Sequence, residues 1–461
     1  MDVLIITPCR TVHVLRMGLG MSIFGNFRRL VRKTQYTRLP TLATDYIPTS
    51  YIYHISILSP LIKEVNRTPS FSRKSHLSNM ARTQKALVGG LDNDIVLSNV
   101  ANLPPPLEDD RIGVAIKAIS LNPVDTKMVG GYLTPGAISG CDFAGVVTGV
   151  GGPTAQKRGL KIGDRVAGVV MGMNPLRPNI GAFAEHTSVY CNTCLKIPDD
   201  WTFAQAASGV GGVAWCTVPW ALFHHLALPP GPELEPLNSE FVRPSEVLGP
   251  KIKITSSHDG TEKSPTTVLV NGGASFTGTC AVQLLKLAGF TVVATCSPKS
   301  FEMVKSYGAD AVFDYSSPTC AAEINAHTRN GLRFVLDCIT TADTTRLCYA
   351  AIGRAGGRYV ALDPYSVAVA GSRAIVHADW VFGMDLMGEE VLWPTPHGRK
   401  RDAVAHSFGV QWNKTLQTLL DRDLIRPHPQ LVRETGLEGA LEGIQEIRST
   451  KGLSHKLVYT L

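Results

Sequence analysis

The segment Val268-Leu-Val-Asn-Gly-Gly-Ala-Ser-Phe-Thr-Gly-Thr carries the clearest chemical signature in this 461-residue chain. A phosphate needs backbone N–H groups with no side chain in the way, and the positive end of a helix. Gly272, Gly273 and Gly278 supply the bare backbone, and Ser275 and Thr277 add hydroxyl donors. The glycine spacing departs from G-x-G-x-x-G, so the reading rests on context: a buried-type strand before the turn and a helical period after it. An acidic residue about 20 positions further on would hold a ribose 2′-hydroxyl. None is present there. The next strand ends in Cys296-Ser-Pro-Lys-Ser300, and the hydroxyl of Ser297 with the ammonium of Lys299 suits a 2′-phosphate. NADPH is therefore expected over NADH, the alternative being that Lys299 only solvates a helix start.

Other chemistries lack their residues. A catalytic zinc needs three Cys, His or acidic ligands with supporting partners. No histidine precedes Gly140-Cys-Asp-Phe143 at useful spacing, and Cys191 and Cys194 form half of a structural site whose second pair is missing. The expectation is no metal. Ser208 lies outside any G-x-S-x-G frame. A nicotinamide cofactor without metal or nucleophile points to hydride transfer onto an activated double bond or a quinone, since a conjugated carbonyl stabilises its own enolate.

Two kinds of sequence must position these groups. From 85 to 200 the strand signals are short and punctuated by turns, with Ile112–Ile119 alternating and Gly145–Val150 and Arg165–Met171 rich in Val and Gly. That spacing suggests a compact β-barrel. Beyond Trp201, strand signals at Thr266–Asn271, Thr291–Cys296, Ala311–Phe313, Phe334–Leu336 and Arg358–Leu362 alternate with helical periods at Cys280–Leu287, Phe301–Tyr307, Ala321–His327 and Thr344–Ile352. Such alternation means an α/β fold with a doubly wound parallel sheet. Helical periods at Gln411–Leu420 and Leu437–Ile447 and a strand at His455–Leu461 end the chain, while residues 229–265, rich in Pro, Ser and Glu, read as a surface insertion.

Residues 1–83 differ. They hold 12 Lys+Arg and 3 Asp+Glu, a charge of +9 that exceeds the whole chain's +7; the remaining 33 bases and 35 acids give −2. The body thus offers no basic field for nucleic acid. The extension reads as a late start at Met80 or a non-folding extension, as a transit peptide, or as a secretory signal interrupted by Arg16. The expected location is cytoplasmic, with organellar targeting left open. The most apolar stretch, Val213–Leu228, is broken by His224 and His225, so no membrane span is expected. Ten scattered cysteines fit free thiols in a reducing compartment.

Several strings carry a resemblance. Asn122-Pro-Val-Asp-Thr-Lys, Gly140-Cys-Asp-Phe-Ala-Gly-Val-Val, Lys161-Ile-Gly-Asp-Arg-Val, Gly181-Ala-Phe-Ala-Glu-His and Gly452-Leu-Ser-His-Lys-Leu-Val are similar to the zinc-independent medium-chain dehydrogenases/reductases over about residues 84–461. Ala294-Thr-Cys-Ser-Pro, Val312-Phe-Asp-Tyr, Leu336-Asp-Cys-Ile-Thr and Ala351-Ile-Gly-Arg-Ala-Gly-Gly resemble the trans-acting enoyl reductases of fungal highly reducing polyketide synthases.

The resemblance implies a GroES-like β-barrel catalytic domain over 84–205, a Rossmann domain over 206–384 with the insertion 229–265, and a return to the catalytic domain over 385–461. It implies reduction of an α,β-unsaturated thioester held on the acyl carrier protein of a partner polyketide synthase, by a chain expected to be monomeric. It places Asn122, Pro123, Val124 and Asp125 at the cofactor near the cleft. Ala274, Ser275, Phe276 and Thr277 would hold the pyrophosphate, and Ser297, Pro298, Lys299 and Ser300 the 2′-phosphate. Tyr315 would meet the adenosine, and Leu362, Asp363, Ser454 and His455 would close the nicotinamide side. Val210, Gly211, Gly212, Val213, Ala214, Trp215, Cys216 and Thr217 would line the acyl channel, with Met384, Asp385, Leu386, Met387 and Gly388 on the helix after the last wound strand.

In that frame the α-carbon needs a proton after hydride arrives at the β-carbon. Lys127 is the candidate donor or enolate stabiliser, Tyr132 a weaker one, and water supplies the proton if Lys127 is only a surface residue. The basic loop His397-Gly-Arg-Lys-Arg401 either meets an acidic carrier protein or is simply solvated. Besides the trans enoyl reductase, two readings stay open: a stand-alone NADPH quinone or enone reductase, and a non-catalytic NADPH-binding partner of a synthase.

Overall fold

The computed structural model describes residues 83–235, 237, 252–257, 264–450 and 453–461, together with the backbone of 3–6 and 12–15. The chain forms two units, Met1–His76 and Leu77–Leu461. In the first, β1 (Val3–Ile6) and β2 (Val12–Leu15) pair antiparallel, Val3 opposite Leu15. The targeting and late-start expectations for residues 1–83 otherwise fall outside the described residues.

In the second unit, β3 (Thr83–Gly89) and β4 (Ile95–Asn102) form an antiparallel hairpin. Five strands follow: β5 (Arg111–Ser120), β6 (Asp142–Val150), β7 (Arg165–Val169), β8 (His186–Tyr190) and β9 (Cys194–Lys196). Alternation decides β5: Ile112, Val114, Ile116 and Ala118 are buried while Lys117 is exposed, as a strand with one face on a core requires.

The wound sheet comprises β10 (Thr267–Asn271), β11 (Thr291–Cys296), β12 (Ala311–Asp314), β13 (Phe334–Asp337), β14 (Gly357–Ala361) and β15 (Val376–Trp380). All pairs are parallel, and the order β12-β11-β10-β13-β14-β15 is the 3-2-1-4-5-6 arrangement that puts a ligand trough at the carboxyl ends of the central strands. The helices Phe276–Leu287, Phe301–Ser306, Cys320–His327 and Ala342–Ala351 connect these strands. Sequence reasoning found five of the six. It missed β15 because only Val376 there is buried, and His377 and Asp379 interrupt the apolar run.

The chain then returns. β17 (Lys456–Thr460) pairs with β5 and with β16 (Gln430–Arg433), giving a seven-stranded sheet from distant parts of the sequence. The long helix Ala403–Asp421 and the helix Gly436–Ser449 pack beside it. One apolar core runs from Leu87 and Ile112 through Trp215 and Phe223 to Val268 and Leu336.

Met384–Met387 lie on a short 3-10 helix, Gly383–Met387, after β15, the last wound strand, closed by Gly388 at φ +66°. One expectation is corrected. The segment 229–265 is not all surface: Leu234 and Leu237 are buried, and the Leu234 carbonyl accepts a hydrogen bond from Thr415 Oγ1 at 3.2 Å. Within that insertion, residues 236, 238–251 and 258–263 lie outside the described residues.

The stretch Phe203–His225 is long and apolar enough to cross a membrane, and 89% of its most apolar part is buried inside the protein.

Candidate active site

The turn after β10 is built for close backbone approach. Gly272 sits at φ +80°, in the left-handed region that glycine tolerates. A Cβ on Gly278 would lie 2.2 Å from the Gly272 carbonyl oxygen, so the third glycine lets helix and strand touch. Ser275 caps the helix Phe276–Leu287: its hydroxyl accepts from the Gly278 amide at 3.0 Å and donates to the Gly272 carbonyl at 2.7 Å. Thr277 Oγ1 is 3.1 Å from Ser275 Oγ. The first-turn amides of Phe276 and Thr277 have no acceptor within their own helix.

Register aligns the neighbouring strand ends. Asn271 pairs with Thr295 and with Asp337, and Cys296 with Asp314. Ser297, Pro298, Lys299 and Ser300 therefore stand beside the glycine turn. Pro298 and Lys299 are exposed, whereas Ser300 is buried with its hydroxyl 3.4 Å from Ser297 Oγ. Tyr315 follows β12 and is 54% exposed, open to a flat ring. The neighbouring Asp314 carboxylate accepts from the amide and hydroxyl of Ser316 at 2.9 and 2.7 Å. On the other side of the switch between β10 and β13, Leu362 and Asp363 continue β14.

The turn 122–127 holds a buried polar network that sequence reasoning did not find whole. The Asp125 carboxylate accepts from the Asn122 amide at 2.7 Å. Burial, and behind it the nearby Asp142 charge, push the Asp125 pKa up to about 7, against the Asn122 hydrogen bond and the Lys456 charge. Lys456 donates to Asn122 Oδ1 and, at 3.1 Å, to Asp142 Oδ2, and its ammonium lies 4.6 Å over the Phe276 ring. Asp142 also accepts from the Val213 amide at 2.8 Å. One lysine thus ties Asn122 and the helix start at Phe276 to the helix Val213–Pro219. Beside it, burial holds the His428 pKa down to about 3, and neutral His428 meets Thr279 Oγ1 at 2.9 Å. Ser454 and His455 precede β17 and adjoin His428.

Lys127, 55% exposed, is bonded to Asp363 Oδ2. Asp363 Oδ1 lies 2.9 Å from His397 Nε2, and His397 Nδ1 lies 3.0 Å from Tyr132 Oη. Three regions of the sequence meet here: 127–132, 363 and 397. In the loop 397–401, Lys400 pairs with Glu390 and Arg399 with Asp385, while Lys400 and Arg401 remain exposed.

Two family descriptions match this chain: "Alcohol dehydrogenase GroES-like domain" over 108–199 and "Zinc-binding dehydrogenase" over 277–362. The trans-enoyl reductase tasC of Hapsidospora irregularis is 62% identical over 382 residues, 82% of this chain and 98% of its own length. The chain belongs to the trans-enoyl reductases, a branch of the medium-chain dehydrogenases/reductases. The relative cghC of Chaetomium globosum is 57% identical over 83% of this chain and 99% of its own. CurK enoyl reductase, a solved structure at 18% identity, superposes with TM-score 0.58 over 82% of this chain and 98% of its own, a likeness of fold.

A trans-enoyl reductase of this kind uses a nicotinamide cofactor, and the residues fit one. The bare glycine backbone leaves room for a diphosphate, and the buried Nδ2 of Asn122 has no partner among the described residues. Zinc, which one family description names, does not fit: among the described residues no three His, Cys, Asp or Glu gather into a metal site. Cys141, at the place to look, is buried, and burial raises its thiol pKa well above the ordinary value.

The two segments assigned to the acyl channel meet. A small cavity is lined by Gly211, Trp215, Cys216 and Leu386, with Trp412 and Leu416 from the long helix. Gly383 approaches Thr217 so closely that a Cβ there would be 2.1 Å from Thr217 Oγ1. Val210, Ala214 and Trp215 are buried, Trp215 donating to the Gly209 carbonyl at 2.6 Å. Gly212 backs onto Asp142, and Val213 uses its amide there. Met384, Leu386 and Met387 are buried, and burial raises the Asp385 pKa to about 6 despite Arg399 beside it.

Proposed function

We propose that this chain is a trans-acting, NADPH-dependent enoyl reductase that reduces α,β-unsaturated polyketide thioesters carried on the acyl carrier protein of a partner polyketide synthase. The observation that carries this reading is 62% identity with a trans-enoyl reductase over nearly the whole of that relative. When bound, the reduced nicotinamide supplies the hydride. The chain supplies the rest: the Ser275-capped helix end orients the diphosphate, and apolar residues around Leu386 and Cys216 exclude water from the acyl chain. Lys127 holds a proton for the α-carbon, and its charge stabilises the enolate that forms.

The preference for NADPH rests on Ser297 and exposed Lys299 at the end of β11, where an acid would favour NADH. The test is NADPH and NADH oxidation by the full chain with short and branched enoyl thioesters, for the wild type and Lys299→Ala. NADPH-linked reduction of thioesters is expected. K299A should raise KM for NADPH by about tenfold, the worth of a charge-assisted hydrogen bond, and leave KM for NADH unchanged. Turnover of quinones but of no thioester would overturn the reading of substrate. Equal use of both cofactors by the wild type would overturn the reading of cofactor.

A further inference from the structure

Lys127 ends a hydrogen-bonded chain of titratable groups that runs through Asp363 and His397 to Tyr132. Its members come from the turn after Asn122, the end of β14, the 394–398 turn and the 3-10 turn Gly130–Tyr132. The donors and acceptors satisfy one arrangement without conflict. Tyr132 Oη–H donates to His397 Nδ1, neutral His397 donates from Nε2–H to Asp363 Oδ1, and the Lys127 ammonium donates to Asp363 Oδ2; the tautomer is assigned from these partners. Burial would raise the Asp363 pKa, but hydrogen bonds from His397 and Lys127 outweigh it and hold Asp363 below the ordinary carboxylate range. Asp363 is thus the ionised middle of the chain.

The surroundings fix the imidazole. The Tyr132, Trp380 and Phe382 rings meet it edge-on, with centroids 5.3–6.0 Å away. Arg399 lies over Trp380 and Phe382 and reaches Asp385, so the charged groups around His397 are Asp363, with Lys127 behind it, and the Arg399–Asp385 pair. Backbone bonds from His397 and Gly398 to the Pro394 carbonyl, at 3.0 and 3.1 Å, hold the turn. Exposure rises along the chain toward Lys127: 21% for His397, 29% for Asp363 and 55% for Lys127.

We propose that Asp363, His397 and Tyr132 are positioning and proton-supply residues that aim Lys127 and restore its proton in each turnover. The inference rests on the proposed function, in which Lys127 protonates the enolate. The N–H bond of the Lys127 ammonium breaks as the α C–H bond forms, leaving a neutral amine. His397 Nε2–H then passes a proton to Asp363 as Asp363 passes one to the amine, and His397 Nδ1 takes the Tyr132 proton. A solvent proton then enters at His397 Nε2, and the Nδ1 proton returns to the Tyr132 oxygen, which restores the starting tautomer. One solvent proton is consumed per hydride, and no redox change occurs in the chain.

The experiment measures NADPH oxidation with an enoyl thioester by the full chain, for the wild type and for His397→Gln, His397→Gly and Tyr132→Phe. The readouts are kcat against pH, KM for NADPH, and the solvent deuterium isotope effect on kcat. H397Q should lower kcat by about tenfold or more, at the lower edge of proton-transfer contributions. KM for NADPH should stay unchanged and the isotope effect should rise, because reprotonation becomes limiting. Y132F should move in the same direction by less. Added imidazole should restore H397G, a rescue that lost packing alone would not show. H397Q with wild-type kcat, pH profile and isotope effect overturns the relay while the proposed function stands. A wild type that reduces no enoyl thioester overturns both.

Discussion

Two polar networks meet the same turn, and they differ in depth. Lys456, Asn122, Asp125 and Asp142 are all buried, none more than 6% exposed. Lys127, Asp363 and His397 are 21–55% exposed at their side chains. A buried charge surrounded by partners has one arrangement, because any displacement strands an unpaired group in a poorly polarisable interior. A half-exposed chain can exchange protons with water while aromatic rings limit its motion. The first network therefore fixes where the turn, the helix Phe276–Leu287 and the helix Val213–Pro219 sit, and the second, in the proposed relay, moves protons between fixed points.

The sharpest way to break this comparison is to remove the buried cation. Lys456→Met leaves Asp142 without its ion-pair partner and should destabilise the protein by about 3–5 kcal/mol, read by denaturant or thermal unfolding. H397Q should lose only about 1 kcal/mol, the worth of one hydrogen bond, while it loses turnover. If the two variants unfold alike, the division into scaffold and relay fails.

A smaller effect is expected at the glycine turn. In Gly278→Ala the new methyl would stand 2.2 Å from the Gly272 carbonyl oxygen. Backbone must shift, at about 1–3 kcal/mol, and the shift opens the phosphate cradle. NADPH affinity measured by titration should fall, and so should stability. An unchanged affinity would mean that the diphosphate does not sit on this helix end.

What was legible in the sequence follows from the range of the forces. The glycine turn, Ser275 and Lys299 lie within one strand–turn–helix unit, so their meaning is local and spacing suffices. The wound sheet was legible wherever strands are buried on both faces and read as apolar runs, as β10 and β13 do; β15, polar at alternate positions, was not. Lys456 meets Asn122 across 334 residues, and Tyr132 meets His397 across 265. No local pattern marks such pairs, and the signal available was weak: a lysine inside an otherwise apolar final strand, and a histidine heading a basic loop. The consecutive charges of the loop 397–401 read as a surface, whereas folding turns its first member, His397, toward Asp363. The resemblance points to Val210–Thr217 for the acyl channel, and several side chains of that segment, Trp215 among them, are buried in the core.

The finest distinction between the two networks is in their response to pH. Asp125 is buried, and its pKa is raised from 3.8 to about 7. Between those values the folded protein keeps the proton and the unfolded chain does not, so the folded state binds more protons. Stability linked to Asp125 is therefore full below about pH 4, falls as pH rises, and is lost once pH passes about 7. Asp125→Asn keeps an acceptor for the Asn122 amide and removes the titration. Its melting temperature should lose less than the wild type's between about pH 4 and pH 7, so that the two curves converge or cross as pH rises. Asp363, whose pKa is lowered by the hydrogen bonds from His397 and Lys127 although burial opposes them, has the opposite sign: its contribution is present above the ordinary carboxylate range and lost in acid. D363N should therefore bring its stability closer to the wild type's as pH falls, and D125N as pH rises. Parallel pH curves for the wild type and D125N would show that Asp125 is ionised in the folded protein at every pH tested, and that Lys456 compensates two carboxylates rather than one.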